Sequence, residues 1–199
     1  MTLPTPGDVR ALHEKHAPSR AALAEVLTHC EIVARIALRI AEDRQLPVDT
    51  ALVEVGALAH DIGVYLVGDG PYIRHGLLGH DLLRDEGWDE ELCRFASCHT
   101  GVGLTRHDVT TQGLPLPVAD YLPRSAEERL VMYADKFHTK SRPPAFLDAA
   151  AYAVRVARFG AAKSEAFADL VAEYGEPDLA GLAAAYGQPL ERGADLHTL

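Results

Sequence analysis

The spacing of apolar residues constrains the fold of this chain more than any other feature. In the stretch SRAALAEVLTHCEIVARIALRIAEDRQ, the side chains that recur at intervals of three and four are Val26, His29, Val33, Ile36 and Ile40. That interval places them on one face of an α-helix. Similar spacing recurs along most of the 199 residues, and long runs of β-branched residues, which favour strands, do not occur. The sequence therefore predicts an all-α fold, a helical bundle.

Residues that favour helix ends mark the predicted elements. Asp8 is expected to cap a short first helix, Ser19 the long second helix and Asp49 a third. Ser125 is expected to open a later helix in a capping box with Glu128, three residues on. Further helices are predicted over residues 75–87, 89–99 and 106–112, and three alanine-rich helices after residue 143.

The charge and the cysteines of the chain limit its partners and its compartment. A formal net charge of −10 argues against a nucleic-acid polymer or an anionic membrane as partner, because both bind basic faces. Three cysteines without CxxC spacing favour a reducing compartment over a disulfide framework. The sequence shows no signal-peptide pattern and no stretch of about 18 apolar residues for a bilayer span. We therefore expect a cytoplasmic protein, and a homodimer stays open.

Two ionisable residues, His60 and Asp61, interrupt the apolar helix that ends in GALAHDIGVY. Neighbours on a helix point about 100° apart, so the two do not form a simple pair on one face. Their burial costs free energy unless another group pairs with them. Both can reach an object beyond the helix end, and a metal ion is such an object; capping of backbone groups at the helix end is the alternative.

Four more ionisable residues, His29, His75, His99 and Asp135, lie on inward helix faces or at helix ends. Taken singly, each histidine is equally expected as a buried imidazole bonded to a carbonyl. Taken with His60 and Asp61 they form a set of imidazoles and carboxylates, the ligands of first-row transition metals. Six ligands suffice for two ions if one carboxylate bridges. We expect two divalent transition-metal ions, iron or manganese foremost, with nickel, cobalt and zinc as alternatives.

The order of these residues resembles that of the HD-domain superfamily of metal-dependent phosphohydrolases. The segments that carry the resemblance are His29, HDIG at 60–63, HGLLG at 75–79, HTG at 99–101 and YADK at 133–136. They are similar to segments of the dinuclear subgroup, which includes bacterial hydrolases of diadenosine tetraphosphate. Those hydrolases carry a lysine shortly after the HD pair, and HDIGVYLV has none. The resemblance covers about residues 21–140 and favours His75 over His80 as a ligand.

The resemblance implies a fold and a division of the ligands. The fold is the HD-domain helical bundle, with residues 1–143 as the catalytic core and residues 144–199 as a C-terminal helical extension packed on it. His29, His60, Asp61 and Asp135 would bind the first ion. His75 and His99 would bind the second, with Asp61 bridging the two ions and acting as the catalytic residue.

The resemblance also implies an activity, the hydrolysis of a phosphoester or phosphoanhydride in a nucleotide or another small phosphorylated compound. A metal-activated hydroxide would attack phosphorus. Cationic side chains near the site would hold the rest of the anion. The candidates are Arg106, Lys136, Lys140 and Arg142, and a solvated surface charge is the alternative for each.

Two other functions stay open at this stage. Some HD-fold proteins with a similar ligand set hold a mixed-valence pair of irons and cleave a carbon bond with dioxygen. Such oxygenases place a glutamate and a tyrosine ahead of the first histidine; Glu25 precedes His29 by four residues, but no tyrosine lies near it. A non-catalytic nucleotide-binding regulatory module is the third hypothesis, and it would predict the loss of a ligand.

The remaining histidines and two of the cysteines are given structural roles. The histidines expected at the surface are His13, His16, His107, His138 and His197, and His138 is one turn after Asp135, within reach of the mouth of the site. Cys30 and Cys98 are each next to a proposed ligand and are expected to pack beside the site as free thiols.

Overall fold

A computed structural model describes residues 3–194 of the chain. Within that range the backbone is mainly helical, which confirms the all-α prediction. The helices are α1 (Pro6–His16), α2 (Arg20–Asp43), α3 (Thr50–Ala59), α4 (His75–Asp85), α5 (Glu90–Cys98), α6 (Arg106–Thr111), α7 (Ala126–Ala134), α8 (Ala149–Ala157), α9 (Ala161–Tyr174) and α10 (Ala180–Tyr186). Short 3₁₀ turns occupy Ile62–Leu66, Tyr72–Arg74 and Asp135–Phe137.

The first helices begin at residues whose side chains accept backbone N–H groups. Ser19 caps α2 by accepting from Ala22 N, and Asp49 caps α3, as the sequence predicts. The cap of α1 is Thr5 rather than Asp8. Asp8 instead takes the third helical position of a capping box and accepts from Thr5 N at 2.7 Å. Pro6 can begin the helix because the first helical position needs no N–H donor.

The predicted capping box of α7 is only half formed. Ser125 Oγ accepts from Glu128 N at 3.1 Å, but the carboxylate of Glu128 does not return to Ser125. It is buried and makes a bidentate pair with Arg94, at 2.8 and 3.0 Å, and accepts from Arg124 N. The charge of Arg94, carried on α5, diverts the glutamate, because a buried carboxylate requires a cation or several donors.

The core forms where the apolar stripes of α2, α3 and α7 meet. Ile32, Val53 and Leu130, one from each helix, are fully buried there. Helix α5 joins this core through Phe95, whose ring lies against Gly56 of α3. Helices α8, α9 and α10 pack on the same core, where the ring of Phe167 of α9 is tilted by 39° to that of Tyr133 of α7, with centroids 6.1 Å apart.

A small sheet joins the middle of the chain to its later part, and the sequence analysis did not predict it. The strands are β1 (His138–Thr139), β2 (Ala145–Leu147) and β3 (Leu190–Glu191). β2 is central: it pairs antiparallel with β1 and parallel with β3, with Phe146 opposite both His138 and Leu190. Strands of two or three residues are too short to show a period-two pattern. The proposed division at residue 143 falls between β1 and β2 and stays a prediction.

Two of the five histidines predicted at the surface are buried, so those expectations were wrong. His13 is inside, with its ring nitrogens 2.8 Å from Leu58 O and from Tyr65 Oη. His138, on the edge strand β1, is buried between the rings of His29 and Phe146, whose centroids are 5.1 and 5.0 Å from its own. His107 is exposed and His16 is half-buried against Glu86, whereas His197 lies outside the described residues.

Whether a helix can cross a bilayer depends on its length and its apolar character. Among the helices of residues 3–194, none combines the length and the apolar character needed to cross a bilayer. Cys30 and Cys98 are buried free thiols, as expected, and so is Cys93.

Candidate metal centre

The end of α3 delivers two ionisable groups into the interior. Helix α3 ends at Ala59, and His60 and Asp61 follow before the 3₁₀ turn Ile62–Leu66. Both side chains are almost completely buried. The apolar residues of α3 face the core, so the chain carries this pair directly into it.

Two glycines allow helix α4 to pack closely against its neighbours. A Cβ on Gly63 would be 2.1 Å from His75 O and 2.2 Å from Gly79 N, so only glycine permits this approach. A Cβ on Gly76 would be 2.7 Å from Ala96 O, which gives the same result between α4 and α5. The first residue of α4, His75, is thereby held beside Asp61.

The carboxylate of Asp61 lies between two groups of side chains. Its Oδ2 is 3.3 Å from His29 Nε2 and 3.6 Å from His60 Nε2. Its Oδ1 is 3.4 Å from His75 Nε2 and 3.5 Å from His99 Nε2. The two oxygens of one side chain therefore face two separate pairs of imidazoles.

Asp135 completes the first of these groups. Its Oδ1 is 3.0 Å from His29 Nε2 and 3.5 Å from His60 Nε2. The structure thus brings together all six residues that the sequence proposed as ligands. By contrast, His80 faces Ser97 and Glu90, away from the group.

The far nitrogen of each imidazole is engaged in a way that fixes its orientation. The Nδ1 atoms of His60, His75 and His99 lie 2.6, 2.7 and 3.1 Å from the carbonyls of Ala57, Tyr72 and Phe95. A carbonyl only accepts, so each Nδ1 carries a proton and each Nε2 is the nitrogen left to bind a cation. Metal-binding histidines are usually held in this manner.

His29 reaches the same state through side chains. Its Nδ1 is 2.8 Å from His138 Nδ1, and His138 Nε2 is 2.7 Å from Gln188 Oε1. One assignment of protons satisfies the series: Gln188 accepts from His138 Nε2–H, and His138 Nδ1 accepts from His29 Nδ1–H. His29 Nε2 is then left with a lone pair that faces Asp61 and Asp135.

These residues fit a divalent cation. Within residues 3–194, His60 Nε2 and Asp61 Oδ1 are buried without a hydrogen-bond partner, a costly state for polar atoms. His75 Nε2 and His99 Nε2 lie 2.9 Å apart, both with Nδ1 already protonated. A cation between such donors satisfies them together. Three overlapping trios have donor atoms within 4.8 Å of one another: His29–His60–Asp61, Asp61–His75–His99 and His60–His99–Asp135.

Burial and neighbouring charges set the protonation of the group. Burial lowers the pKa of His99 to about 4 and lowers that of His75, so both are neutral at pH 7 as ligands must be. Burial alone would raise the pKa of Asp61, but the Lys140 ammonium outweighs it and holds that pKa well below its usual range. Burial would likewise lower the pKa of His60, but Cys30 and Asp61 outweigh it and raise that pKa, so a cation bound at Nε2 would displace a proton.

Two lysines contact the carboxylates directly. Lys140 Nζ contacts Asp61 Oδ2, and Lys136 Nζ donates to Asp135 Oδ2 at 2.7 Å and to His99 O at 2.9 Å. Both lysines line an open cleft of about 490 Å³ above the six proposed ligands, which are called the donor group below. Positive charge therefore lies between the carboxylates and the solvent.

The two predicted arginines lie elsewhere. Arg106 is exposed and is turned toward Asp120, which accepts from its backbone N at 2.7 Å; it does not line the cleft. Arg142 is exposed and pairs with Glu25 at 2.9 Å, at the edge of the cleft. Sequence reasoning missed Arg155 and Arg158 of the α8 region, which line the cleft. Two arginines three residues apart in an alanine-rich segment were the available signal.

Comparison with known proteins places the chain in a family. Residues 26–140, more than half of the chain, match the family model described as HD domain. The chain belongs to the HD domain family, and the resemblance read from its sequence is confirmed.

Solved structures agree on the fold. The HD domain of the L. monocytogenes phosphodiesterase PgpH, in complex with cyclic-di-AMP, aligns with a TM-score of 0.52 at 16% identity. The alignment covers 92% of this chain and 99% of that one. A second structure of the same domain gives 0.51 and covers 89% and 98%. At this identity the likeness concerns the fold alone.

The curated relatives of this chain differ in how much of their own length the match covers. An uncharacterized protein of Methanocaldococcus jannaschii is 38% identical over 120 residues, which are 58% of this chain and 68% of that protein. Proteins named tRNA (cytidine(56)-2'-O)-methyltransferase, from Picrophilus torridus and Thermoplasma volcanium, are 36% and 34% identical. These matches cover 59% and 55% of this chain but only 32% and 30% of the methyltransferases. The chain thus spans about a third of their length.

Proposed function

We propose that the protein is a metal-dependent phosphohydrolase that acts on a nucleotide or another small phosphorylated compound. One observation carries the proposal: four imidazole nitrogens and two carboxylates converge at the base of a cleft lined by cationic side chains. The PgpH phosphodiesterase, crystallised with a cyclic dinucleotide, supports a nucleotide as ligand of this fold.

The proposed ligands divide around Asp61. His29, His60, Asp61 and Asp135 would hold one divalent ion, and His75, His99 and Asp61 a second. When bound, such ions lower the pKa of water and neutralise charge on a phosphoryl group. Iron and manganese are the foremost candidates, and nickel, cobalt and zinc accept the same donors.

The side chains of the cleft would bind the phosphoryl group. Lys140, in contact with Asp61 Oδ2, keeps that carboxylate ionised, the state in which it would hold an ion and orient the attacking water. Lys136 and Lys140 can donate N–H groups to phosphoryl oxygens from the wall nearest the carboxylates. Arg155 and Arg158, at the end of α8, also line the cleft and add the planar donors that suit phosphate. Arg155 also donates to Glu191 Oε2 at 2.6 Å.

The test combines metal analysis with an assay of phosphate release. Protein purified without oxygen should contain up to two transition-metal ions per chain and release phosphate from members of a nucleotide panel. Asp61→Ala should lose both properties, whereas His80→Ala, a histidine of α4 outside the donor group, should keep them. Retention of activity with normal metal content in Asp61→Ala would contradict the proposal. Two irons with dioxygen uptake and no phosphate release would replace it with the oxygenase.

A further inference from the structure

A second, apolar pocket adjoins the cleft. Its volume is about 170 Å³, and its walls include the apolar side chains of Ile73, Val102, Leu104 and Leu114. Since a liquid water molecule occupies about 30 Å³, this space exceeds what one or two ordered waters would fill. An apolar wall gives such waters few partners, so the pocket is suited to an apolar group.

Helix α8 and the residues after it contribute to the lining of both spaces. Tyr152, Val156 and Phe159, at spacings of four and three, line both the cleft and the apolar pocket. Arg155 and Arg158, on the intervening positions, line the cleft alone. A molecule whose charged end lies in the cleft can therefore extend its other end into the apolar pocket without leaving protein contact.

The polar groups of the pocket favour an uncharged occupant. Lys163 reaches its edge, but the ammonium is already bonded to Asp108 Oδ2 and Gly103 O, both at 2.7 Å. The Gln112 amide can offer a neutral donor and acceptor. The Arg158 guanidinium lies over the ring of Phe159, 4.7 Å from its centroid, and the ring is still half exposed where the two spaces meet. An exposed ring at this position is placed to stack on a planar group.

We infer that this pocket binds an uncharged planar ring of the substrate, so that the substrates are phosphate esters or anhydrides carrying a nucleobase or a similar aromatic group. The inference rests on the proposed function and narrows its substrate class. It assigns Tyr152, Val156 and Phe159 as specificity-determining residues. All three lie outside residues 26–140, the part that matches the family, whereas Ile73, Val102, Leu104 and Leu114 lie within it. The later segment of the chain therefore completes a pocket that the family domain begins.

The test compares substrates that share a phosphoryl group and differ in the ring. Adenosine 5′-monophosphate and ribose 5-phosphate form one such pair, and adenosine triphosphate and inorganic tripolyphosphate form another. Full-length protein should prefer the ring-bearing member of a hydrolysed pair. Phe159→Ala should lower kcat/KM for that member by roughly tenfold, the size of one lost stacking contact. It should leave the ring-free member within about twofold.

Two further variants separate the pocket from general damage to α8. Leu114→Trp fills the apolar pocket from a position that does not line the cleft, and should also act on the ring-bearing member alone. Val154→Ala changes an exposed residue of α8 that lines neither space, and should change neither member. Equal losses on both members, or no loss with Phe159→Ala and Leu114→Trp, would overturn the inference while leaving the proposed function in place.

Binding measurements distinguish failure of the inference from failure of the function. If no compound releases phosphate, the proposed function is wrong, and calorimetric titration with adenosine 5′-monophosphate and ribose 5-phosphate still tests the pocket. A tighter Kd for the nucleotide that Phe159→Ala weakens supports the inference. Equal Kd values for the two compounds contradict it.

Discussion

His29 and His138 share a hydrogen bond between their Nδ1 atoms, 2.8 Å apart, with stacked rings whose centroids are 5.1 Å apart. On the other side of the His138 ring, Gln188 Oε1 accepts a hydrogen bond from His138 Nε2. A residue next to β3 therefore helps to fix the proton of a proposed metal ligand on α2. His29 and His138 are 109 residues apart, and no sequence pattern links them to each other or to Gln188.

Loss of that hydrogen bond should weaken metal binding. His138→Phe keeps a ring against His29 but removes the acceptor for its Nδ1–H, so the apparent metal affinity should fall about 10- to 100-fold. Titration of metal-depleted protein with Mn²⁺ or Zn²⁺ measures the change. Gln188→Leu should produce a smaller loss, and His107→Ala, an exposed histidine, should produce none. Unchanged affinity in His138→Phe would show that His29 needs no such partner.

The two histidines of HGLLGHDLL should differ in effect. His75 faces Asp61 Oδ1 and His99, so His75→Ala should remove about one of two bound ions and lower phosphate release. His80 lies between Ser97 and Glu90, so His80→Ala should leave metal content unchanged. Metal analysis of both variants beside the unmodified protein makes the comparison. The reverse pattern would mean that the wrong histidine has been assigned.

Gly63 should tolerate no side chain. In Gly63→Ala the added carbon meets His75 O and Gly79 N, both backbone atoms, so α4 must move away from the turn. We expect a loss of about 3 kcal/mol or more in the free energy of unfolding. Gly181→Ala is the matched control, because open space surrounds that α10 position and alanine favours a helix by up to about 1 kcal/mol. Chemical denaturation measures both, and equal stabilities would contradict the steric explanation.

The Asp108–Lys163 pair should make stability depend on pH in the acid range. Burial would raise the pKa of Asp108, but the Lys163 ammonium and Thr105 outweigh that effect and hold it at about 2, against 3.8 for an ordinary aspartate. The folded state therefore gains stability above about pH 4 that it loses as the pH falls toward 2. The shift corresponds to about 2 kcal/mol at most. Urea denaturation should give Lys163→Met a lower free energy of unfolding than the unmodified protein at pH 5, and a smaller difference between the two at pH 2.5. A difference that does not change with pH would contradict the linkage.

The sequence was informative wherever a pattern is local. Three-and-four spacing predicts the helices, and Ser19 and Asp49 mark two of their starts, because a cap depends on residues within one turn. The six proposed ligands could be listed since buried ionisable residues are conspicuous among apolar neighbours. The carboxylate of Glu128 and the rings of His13 and His138 went unpredicted because their partners lie far along the chain.

The cationic and aromatic wall of the cleft was missed for a related reason. Arg155, Arg158 and Phe159 resemble ordinary surface residues of an alanine-rich helix until the fold brings α8 over the donor group. The three-stranded sheet that holds α8 there is built from segments of two and three residues. Such contacts are set by tertiary pairing rather than by local preference.

The parallel pairing of Phe146 with Leu190 gives the later segment two fixed ends. The segment between these two residues contains α8, α9 and α10, and both of its ends are held in the sheet that begins at His138, close to Asp135. This closed segment carries Gln188, which bonds to His138 behind the proposed ligand His29, and Tyr152, Val156 and Phe159, which line both spaces. A change in its length or packing would therefore alter metal binding and ligand choice together.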